Sequence, residues 1–277
     1  MTTILRQNSG RPTYIQSRLL SESDGVVHAF SSRLGGVSQP PFGTLNLGQS
    51  VGDNPGAVQE NRRRFFGGFG IDPTQVVRAR QVHGDGVLRV DEGLTEREGF
   101  PRCLVEEPAG YDALITRLPG LALVVSTADC LPILIHDPVR RTVAAVHAGW
   151  RGTARRIAAK ALVAMHAAYG TNPADCQVAI GPGIRGCCFE VDAPVMEAMA
   201  AALPGWEACA TPTRSGHCLL DLGKVNRAIL EGAGVRPEQV DEVRLCTVCR
   251  NDLFFSHRAE KGRTGRLMNF ILLRAGG

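Results

Sequence analysis

Short apolar runs of three to seven residues dominate the hydrophobic pattern of this chain. Each run is rich in valine, isoleucine or leucine and is bounded by glycine, proline or aspartate, which is typical of β-strands. The pattern predicts strands at Thr13–Gln16, Val26–Ser31, Val76–Gln81, Val87–Val90, Ala113–Thr116, Leu121–Ser126, Ile133–His136, Thr142–His147, Gln177–Ile180, Cys218–Leu220, Val243–Thr247 and Leu267–Leu273.

Helical periodicity is confined to fewer segments. The longest, Ala154–Tyr169, places its large apolar residues on one face, with Thr153 as the N-cap and Gly170 directly after its end. The other predicted helices are Pro55–Phe66, Pro194–Leu203 and Lys224–Glu231. Strands outnumber helices and do not alternate with them strictly, which argues against a plain doubly wound sheet. We therefore expect one α+β domain over residues 1–277, with mixed β-sheets flanked by helices. The charged stretch Asp91–Gly110 is predicted to be a surface excursion.

Composition narrows the class of protein. The 277 residues are 44% hydrophobic, which is enough for a sizeable core. The net charge of +4 is spread along the chain, and the cluster Arg62-Arg63-Arg64 is interpreted as a solvated helix face. Aromatic residues make up only 5% and do not alternate with basic ones, so nucleic-acid binding is not expected.

The cellular location of the protein is predicted from targeting and membrane-spanning signals that the sequence lacks. The start of the chain does not resemble a signal peptide, and no apolar run approaches the roughly 20 residues that span a bilayer. The nine cysteines follow no small disulfide framework. We expect a cytoplasmic protein with reduced thiols and no membrane association.

Candidate chemistry concentrates between Thr127 and Thr153. Cys130 and His147 each stand at the end of an apolar segment, where a rigid strand meets an open loop. They suit a nucleophile and its base, or two ligands of one metal. The turn after His147 contains Arg151 and two glycines before the predicted helix, which suits a phosphate or oxyanion site. The alternative interpretation of the same residues is a glycine-rich turn with a solvated arginine and no anion site.

His83 also ends a predicted strand before a glycine. It lies 47 residues before Cys130, which in turn lies 17 residues before His147. This spacing excludes a zinc finger and suits a catalytic zinc with three ligands from separate strands. A hydrogen-bonded structural histidine is the alternative.

Two further motifs carry less information. The segment Gly181–Gly186 matches the dinucleotide fingerprint by letter, but Cys187–Val191 after it has an extended pattern where the fingerprint requires a helix. Cys246 and Cys249 form one C-x-x-C pair without a second pair near it in sequence. We interpret them as two buried thiols.

A series of ordered motifs extends over nearly the whole chain. It comprises Phe30–Ser38, Leu45–Gly48, Val51–Asp53, Asn61-Arg62, Gln81–Gly84, Asp112–Thr116, Ala128–Cys130, His147–Thr153, Ile180–Ile184, Cys188–Val191, Phe254–Arg258 and Thr264–Arg266. With these motifs the chain closely resembles the YfiH-type laccase-domain family, also called multicopper polyphenol oxidase-like or purine nucleoside phosphorylase proteins. The resemblance implies a single α/β sandwich domain in which His83, Cys130 and His147 converge on a metal, usually zinc, with copper as the alternative. It also implies phosphorolysis of adenosine, inosine and methylthioadenosine, together with adenosine deamination.

Substrate contacts follow as hypotheses from that activity. Phosphate needs bidentate cations, for which Arg62, Arg151 and Arg258 are the candidates, while Asn46 and His257 are assigned to the sugar or base. Glu190 and Asp129 are candidates for acid–base work or are structural acceptors. The partners expected are purine nucleosides and phosphate, in a monomer or small homo-oligomer.

Three other functions remain open. A polyphenol oxidase needs many histidines for several coppers, whereas this chain has seven and none forms a His-x-His pair. A Cys–His hydrolase, with Cys130 as nucleophile and His147 as base, would cleave an amide, as in editing of cell-wall precursors, and leaves His83 without a role. A metal-binding regulatory protein without turnover is the third.

Overall fold

Two six-stranded β-sheets form the centre of the computed structural model, which describes residues 4–6, 12–92 and 110–275. The first sheet contains, in spatial order, β1 (Ile4–Arg6), β2 (Tyr14–Gln16), β3 (Val26–Ser31), β15 (Leu267–Leu273), β7 (Ala122–Thr127) and β4 (Val76–Val77). The second contains β14 (Val240–Glu242), β10 (Gln177–Ile180), β8 (Leu131–Asp137), β9 (Thr142–Ala148), β6 (Ala113–Thr116) and β5 (Val87–Arg89). A small third sheet consists of β11 (Glu190–Val191), β13 (Cys218–Leu220) and β12 (Ala210–Pro212).

Both large sheets are mixed. Most neighbouring strands are antiparallel, but β4 pairs with β7, β5 with β6 and β10 with β14 in parallel. The helices are α1 (Arg18–Ser21), α2 (Pro55–Gly67), α3 (Trp150–Ala154), α4 (Ile157–Tyr169), α5 (Ala193–Ala202) and α6 (Leu222–Gly232). This arrangement confirms the α+β class with mixed sheets flanked by helices.

The central strands are buried on both faces, which explains their continuous apolar sequences. In β9, Val143 and Ala145 belong to the apolar layer shared by the two sheets. Ala144 and Val146 face the other way, into a core that also contains the apolar residues of α4 and α6. On the outer side of the first sheet, the aromatic residues of α2 pack against Phe270 of β15. The layers therefore run helix, sheet, sheet, helix.

Three predicted elements, one helix and two strands, were wrong in detail. The helix expected over Ala154–Tyr169 is two helices, because Arg156 adopts a left-handed backbone conformation (φ 58°) between α3 and α4. Thr153 lies inside α3, and its N–H donates to Gly149 O over 2.8 Å. It is therefore not the N-cap of the long helix, and this N–H is not free for an anion.

The strand expected at Val243–Thr247 lies three residues earlier, as β14. The strand expected at Val76–Gln81 is shorter, ending at Val77. Most of the predicted surface excursion, at positions 93–109, lies outside the described residues. Among the residues that are described, no helix combines the length and apolar composition that a bilayer crossing requires.

Buried His28 in β3 makes stability depend on pH. It is 1% exposed, and its Nε2 accepts a hydrogen bond from the Ser17 N–H over 2.9 Å, so the ring must stay neutral. Burial lowers its pKa from 6.5 to about 3. Between these two values the unfolded chain binds a proton that the folded chain does not, so stability should fall as the pH falls.

We expect His28→Gln to remove this contribution. The slope of the unfolding free energy against pH, measured by urea denaturation, should become shallower by up to about 1.4 kcal/mol per pH unit in that window. An unchanged slope would contradict the assignment.

Candidate metal centre and active-site cleft

A cleft of about 640 Å³ opens beside Cys130 and the carboxyl end of β9. Its size is within the range of small-molecule sites. Its titratable and cationic lining residues are Arg78, Arg80, His83, Asp129, Cys130, His147, His257, Arg258 and Arg266. Positive charge therefore surrounds a small group of metal-ligating side chains.

The β8–β9 hairpin brings Cys130 and His147 together. The two strands are antiparallel, with Pro132 opposite His147 and Leu131 opposite Ala148. Cys130 directly precedes β8, so it lies at the same end of the hairpin as His147. The spacing of 17 residues is thus the length of two strands and a tight turn.

His83 reaches the same place from the loop after β4, in a left-handed conformation (φ 57°). The neighbouring Gln81 holds this loop against β7 through paired hydrogen bonds with the Ser126 backbone, at 2.7 and 2.9 Å. The imidazole rings of His83 and His147 meet edge to face, with centroids 4.9 Å apart.

Asp112 organises both histidines and was not identified by sequence reasoning. Its carboxylate accepts hydrogen bonds from the backbone N–H groups of Val82, His83 and Gly84 at 2.7–3.1 Å. The same carboxylate lies 2.8 Å from His147 Nδ1, which directs the other ring nitrogen towards Cys130. A carboxylate behind a histidine is the usual second-layer support of a metal ligand. The available signals were its place at the start of the recognised motif Asp112–Thr116 and directly before an apolar strand.

The ligand atoms of His83, Cys130 and His147 lie within 4.8 Å of one another. Gly149 keeps the space beside them open, since a Cβ there would stand 3.0 Å from Cys130 Sγ and 3.2 Å from His83 Cδ2 and would crowd both side chains. Two imidazoles and one thiol around a space kept clear of side chains are a donor set that zinc accepts.

The electrostatics of this group favour a thiolate. Burial raises the pKa of Cys130, but the charges and hydrogen bonds of His147 and His83 outweigh it and bring the pKa to about 6. Burial lowers the pKa of His147, whereas Cys130 and Asp112 raise it to about 9. The thiolate is both the nucleophilic form and the metal-binding form of cysteine.

Asp129 has a left-handed backbone (φ 94°) and is 8% exposed. Its Oδ1 accepts a hydrogen bond from Thr247 Oγ1 at 2.6 Å, and its Oδ2 accepts one from the Arg258 N–H at 2.7 Å. Both oxygens are therefore engaged, which favours a structural role in orienting the adjacent Cys130. Glu190 lies outside the cleft lining and bonds Thr213 and Arg214.

Of the other predicted substrate contacts, His257 and Arg258 line the cleft. Asn46 and Arg62 do not line it. Asn46 is fully buried, and its Oδ1 accepts the N–H of Arg266 at 2.8 Å. Arg62 donates to Leu47 O at 2.7 and 2.8 Å. Both residues thus brace the neighbouring 48–51 loop, which lines the cleft.

Arg151 is exposed and stacks over the ring of Trp150, 4.2 Å from its centroid, outside the cleft lining. Sequence reasoning gave no site role to Arg266, Arg78, Arg80 or Phe189, all of which line the cleft. Arg266 stood within a recognised motif, which was the available signal.

A second set of thiols lies elsewhere. Cys246 is buried but Cys249 is exposed, so the interpretation of two buried thiols was wrong. Cys187 and Cys188 meet them, and the four Sγ atoms lie within 4.8 Å of one another. The segment after Gly186 forms a turn and then β11, so the dinucleotide fingerprint has no helix behind it.

Comparison with known proteins agrees with this architecture. The family model described as Multi-copper polyphenol oxidoreductase laccase matches residues 27–274. Purine nucleoside phosphorylase YlmD of Bacillus subtilis is 36% identical over 249 residues, covering 89% of this chain and 88% of the relative. Purine nucleoside phosphorylase YfiH of Escherichia coli is 37% identical over 249 residues, covering 90% of this chain and 94% of the relative.

The similarity extends to the whole fold. The crystal structure of YlmD from Geobacillus stearothermophilus superposes with a TM-score of 0.88 at 33% identity, covering 99% of this chain and 100% of that chain. The ligand group of His83, Cys130 and His147 is too small for the several coppers of a multicopper oxidase. By sequence and by fold, the chain belongs to the laccase-like family that includes the YfiH and YlmD proteins.

Proposed function

We propose that this protein is a zinc-dependent purine nucleoside phosphorylase that acts on adenosine, inosine and methylthioadenosine and also deaminates adenosine. The observation that carries the proposal is the meeting of His83, Cys130 and His147 in a cleft lined with arginines. We further propose that residues 1–277 form one catalytic domain. The names of the curated relatives support the phosphorylase assignment.

The metal would be held by His83, Cys130 and His147. Gly149 leaves room for it, and Asp112 fixes the ring of His147 so that one nitrogen faces the site. When bound, zinc supplies a Lewis acid with a free coordination position, which suits displacement of ammonia from purine C6 by water.

Phosphate binding is assigned to the cleft arginines. Arg258 and Arg266 both line it, and a guanidinium binds phosphate in a bidentate manner. Arg266 is anchored by its backbone N–H to Asn46 and by Nη1 to the carbonyls of Thr264 and Gly265, at 3.2 and 3.0 Å. This anchoring reduces the side-chain entropy lost on binding. Phosphate held here would attack C1′ of the ribose.

The purine is assigned to the wall formed by Phe189 and its neighbours. Arg258 Cζ lies 5.4 Å from the centroid of the Phe189 ring, so an aromatic face and a cation are adjacent. His257 is exposed in the same cleft and is our candidate to donate a proton to N7 as the base leaves. Asn46 and Arg62 would act indirectly, through the loop they brace.

A Cys–His hydrolase is the second candidate, and one observation favours it. Asp112, His147 and Cys130 form a chain of acid, base and thiol like that of a cysteine hydrolase. This hypothesis gives no role to His83, although His83 lies within ligand distance of Cys130. The metalloenzyme uses all three side chains and is therefore preferred.

Incubation of the purified protein with inosine and phosphate tests the proposal. We expect hypoxanthine and ribose 1-phosphate to appear only when phosphate is present, because phosphate is the nucleophile. A chelator should stop the reaction, and added zinc should restore it. Adenosine should additionally yield inosine and ammonia.

Two results would contradict the proposal. Hypoxanthine formed equally well without phosphate would indicate hydrolysis. No turnover of adenosine, inosine or methylthioadenosine by the metal-loaded protein would leave a binding protein, and chelator-resistant cleavage of an amide would favour the thiol enzyme.

A further inference from the structure

The second group of thiols, formed by Cys187, Cys188, Cys246 and Cys249, is unexplained by the proposed reaction. None of the four lines the cleft. Cys249 Sγ lies 3.5 Å from Cys187 Sγ and 3.4 Å from Cys188 Sγ, and all four sulfurs lie within 4.8 Å of one another. The other described cysteines that are distant from the cleft, namely Cys176, Cys209 and Cys218, do not belong to this group.

Two turns present these thiols. Cys246 begins a turn in which the Arg250 N–H donates to Cys246 O at 2.9 Å. Cys187 and Cys188 lie in a second turn, where the Cys188 N–H donates to Arg185 O at 2.8 Å. The turns are joined through Gly183, whose carbonyl accepts the Thr247 N–H at 3.1 Å. The backbone alone therefore brings the thiols together.

The surroundings of Cys246 resemble those of a metal-bound thiolate. Burial raises the pKa of the Cys246 thiol, but the nearby backbone N–H groups of Cys249, Arg185 and Val248 lower it below its usual value. Such N–H groups orient a sulfur ligand and compensate its negative charge.

The distances agree with four sulfurs around one cation. Zinc–sulfur bonds of about 2.3 Å in a tetrahedron place neighbouring sulfurs about 3.8 Å apart. The separations of Cys249 Sγ from Cys187 Sγ and Cys188 Sγ, 3.5 and 3.4 Å, are close to that value and well beyond a disulfide bond of about 2.05 Å. A disulfide would also leave two of the four thiols without a role.

We propose that Cys187, Cys188, Cys246 and Cys249 bind a second metal ion of the zinc class, in a closed, structural site. Four thiolates select soft or borderline cations such as zinc, and a full set of protein ligands leaves no position for substrate. This site takes no part in the chemistry of the nucleoside reaction and shares no ligand with the group in the cleft.

The second metal would stabilise the cleft through Asp129, the residue before Cys130. Thr247 lies between Cys246 and Cys249, is fully buried and holds Asp129 through its hydroxyl. Ile184, in the segment before the other two cysteines, donates its N–H to Asp129 O at 2.7 Å. Both turns thus contact the residue that precedes Cys130, so a metal joining them would hold that residue in its left-handed conformation.

Metal analysis of the reduced, full-length protein tests the proposal. The wild-type protein, loaded with zinc and freed of excess metal, should carry about two equivalents per chain, and Cys249→Ser about one. Cys249 and Cys187 are exposed, so their serine variants should fold. Cys209→Ser, a partly buried cysteine outside the cluster, is the matched control and should keep both equivalents.

A variant without the cleft ligand separates the two sites. His83→Ala should retain about one equivalent, held by the cysteine cluster. Loaded with cobalt, this variant should show strong sulfur-to-metal charge-transfer absorption, which Cys187→Ser or Cys249→Ser should weaken. A chelator should lower the melting temperature of His83→Ala but not that of the double variant His83→Ala, Cys249→Ser.

The proposal about the second metal fails if Cys249→Ser binds as much metal as the wild-type protein. It also fails if His83→Ala binds none, or if thiol titration of the loaded protein finds all four cluster thiols free or two of them joined as a disulfide. Absence of nucleoside turnover with an intact cluster metal would instead refute only the proposed function.

Discussion

Replacement of His83 by alanine is expected to release the cleft metal and to lower the rate of phosphorolysis by at least about a hundredfold. The ring lies against that of His147 and is within ligand distance of Cys130, so its loss leaves two protein ligands where a catalytic zinc needs three. Metal affinity, measured by competition with a chromogenic chelator, should fall together with the rate. The fold should be retained, because this side chain is exposed.

The matched control is His217→Ala. The side chain of this histidine hydrogen-bonds to the Ser215 carbonyl of its own turn, at 3.0 Å, and does not line the cleft. It should keep wild-type activity and metal content. If His83→Ala retains activity in the presence of a chelator, the metal is not needed, and the array of Cys130, His147 and Asp112 acts as a thiol enzyme.

Strand positions in this fold were predictable because the central strands are buried on both sides. A strand between two apolar layers needs an uninterrupted apolar run, which is what β8, β9 and β15 contain. The meeting of Cys130 and His147 also follows from sequence, once their 17-residue spacing is recognised as a hairpin. The local sequence pattern therefore predicts the layers of the fold and the meeting of two candidate metal ligands, Cys130 and His147.

Other features depend on contacts that local pattern does not encode. Between α3 and α4, Arg156 adopts a left-handed backbone conformation that is usual for glycine. The residue type at this position therefore does not predict the break between the two helices. The Asp112 carboxylate accepts hydrogen bonds from backbone N–H groups about thirty residues earlier in the sequence, and only folding brings these groups near it. The cysteine cluster joins two pairs separated by about sixty residues, through a bridge between Gly183 and Cys246.

The arginines illustrate the same limit. Arg62, Arg151 and Arg258, the predicted phosphate ligands, each lie within a recognised motif. Arg62 instead turns to the carbonyl of Leu47, and Arg151 lies over Trp150. Motif membership identifies residues that the fold or the site requires, but it does not distinguish a residue that lines the cleft from one that supports the lining.

Asp112→Asn is expected to damage both the metal site and the fold. Each carboxylate oxygen now accepts hydrogen bonds from N–H groups: Oδ1 from His83 and His147, and Oδ2 from Val82 and Gly84. An asparagine amide keeps only one acceptor oxygen, so its NH2 group must face donors in a site that is 1% exposed. We expect a loss of about 2–4 kcal/mol in unfolding free energy and a 10–100-fold loss of metal affinity.

Urea unfolding of the metal-free protein and chelator competition measure the two effects separately. Asp85→Asn is the control, because this nearby carboxylate makes partly exposed ion pairs with Lys160 and Arg155 and should cost less than about 1 kcal/mol. The two effects of Asp112→Asn share one cause, since the carboxylate that holds the His83 loop also orients His147. A variant that loses stability but binds metal as tightly as the wild-type protein would show that His147 needs no support from Asp112.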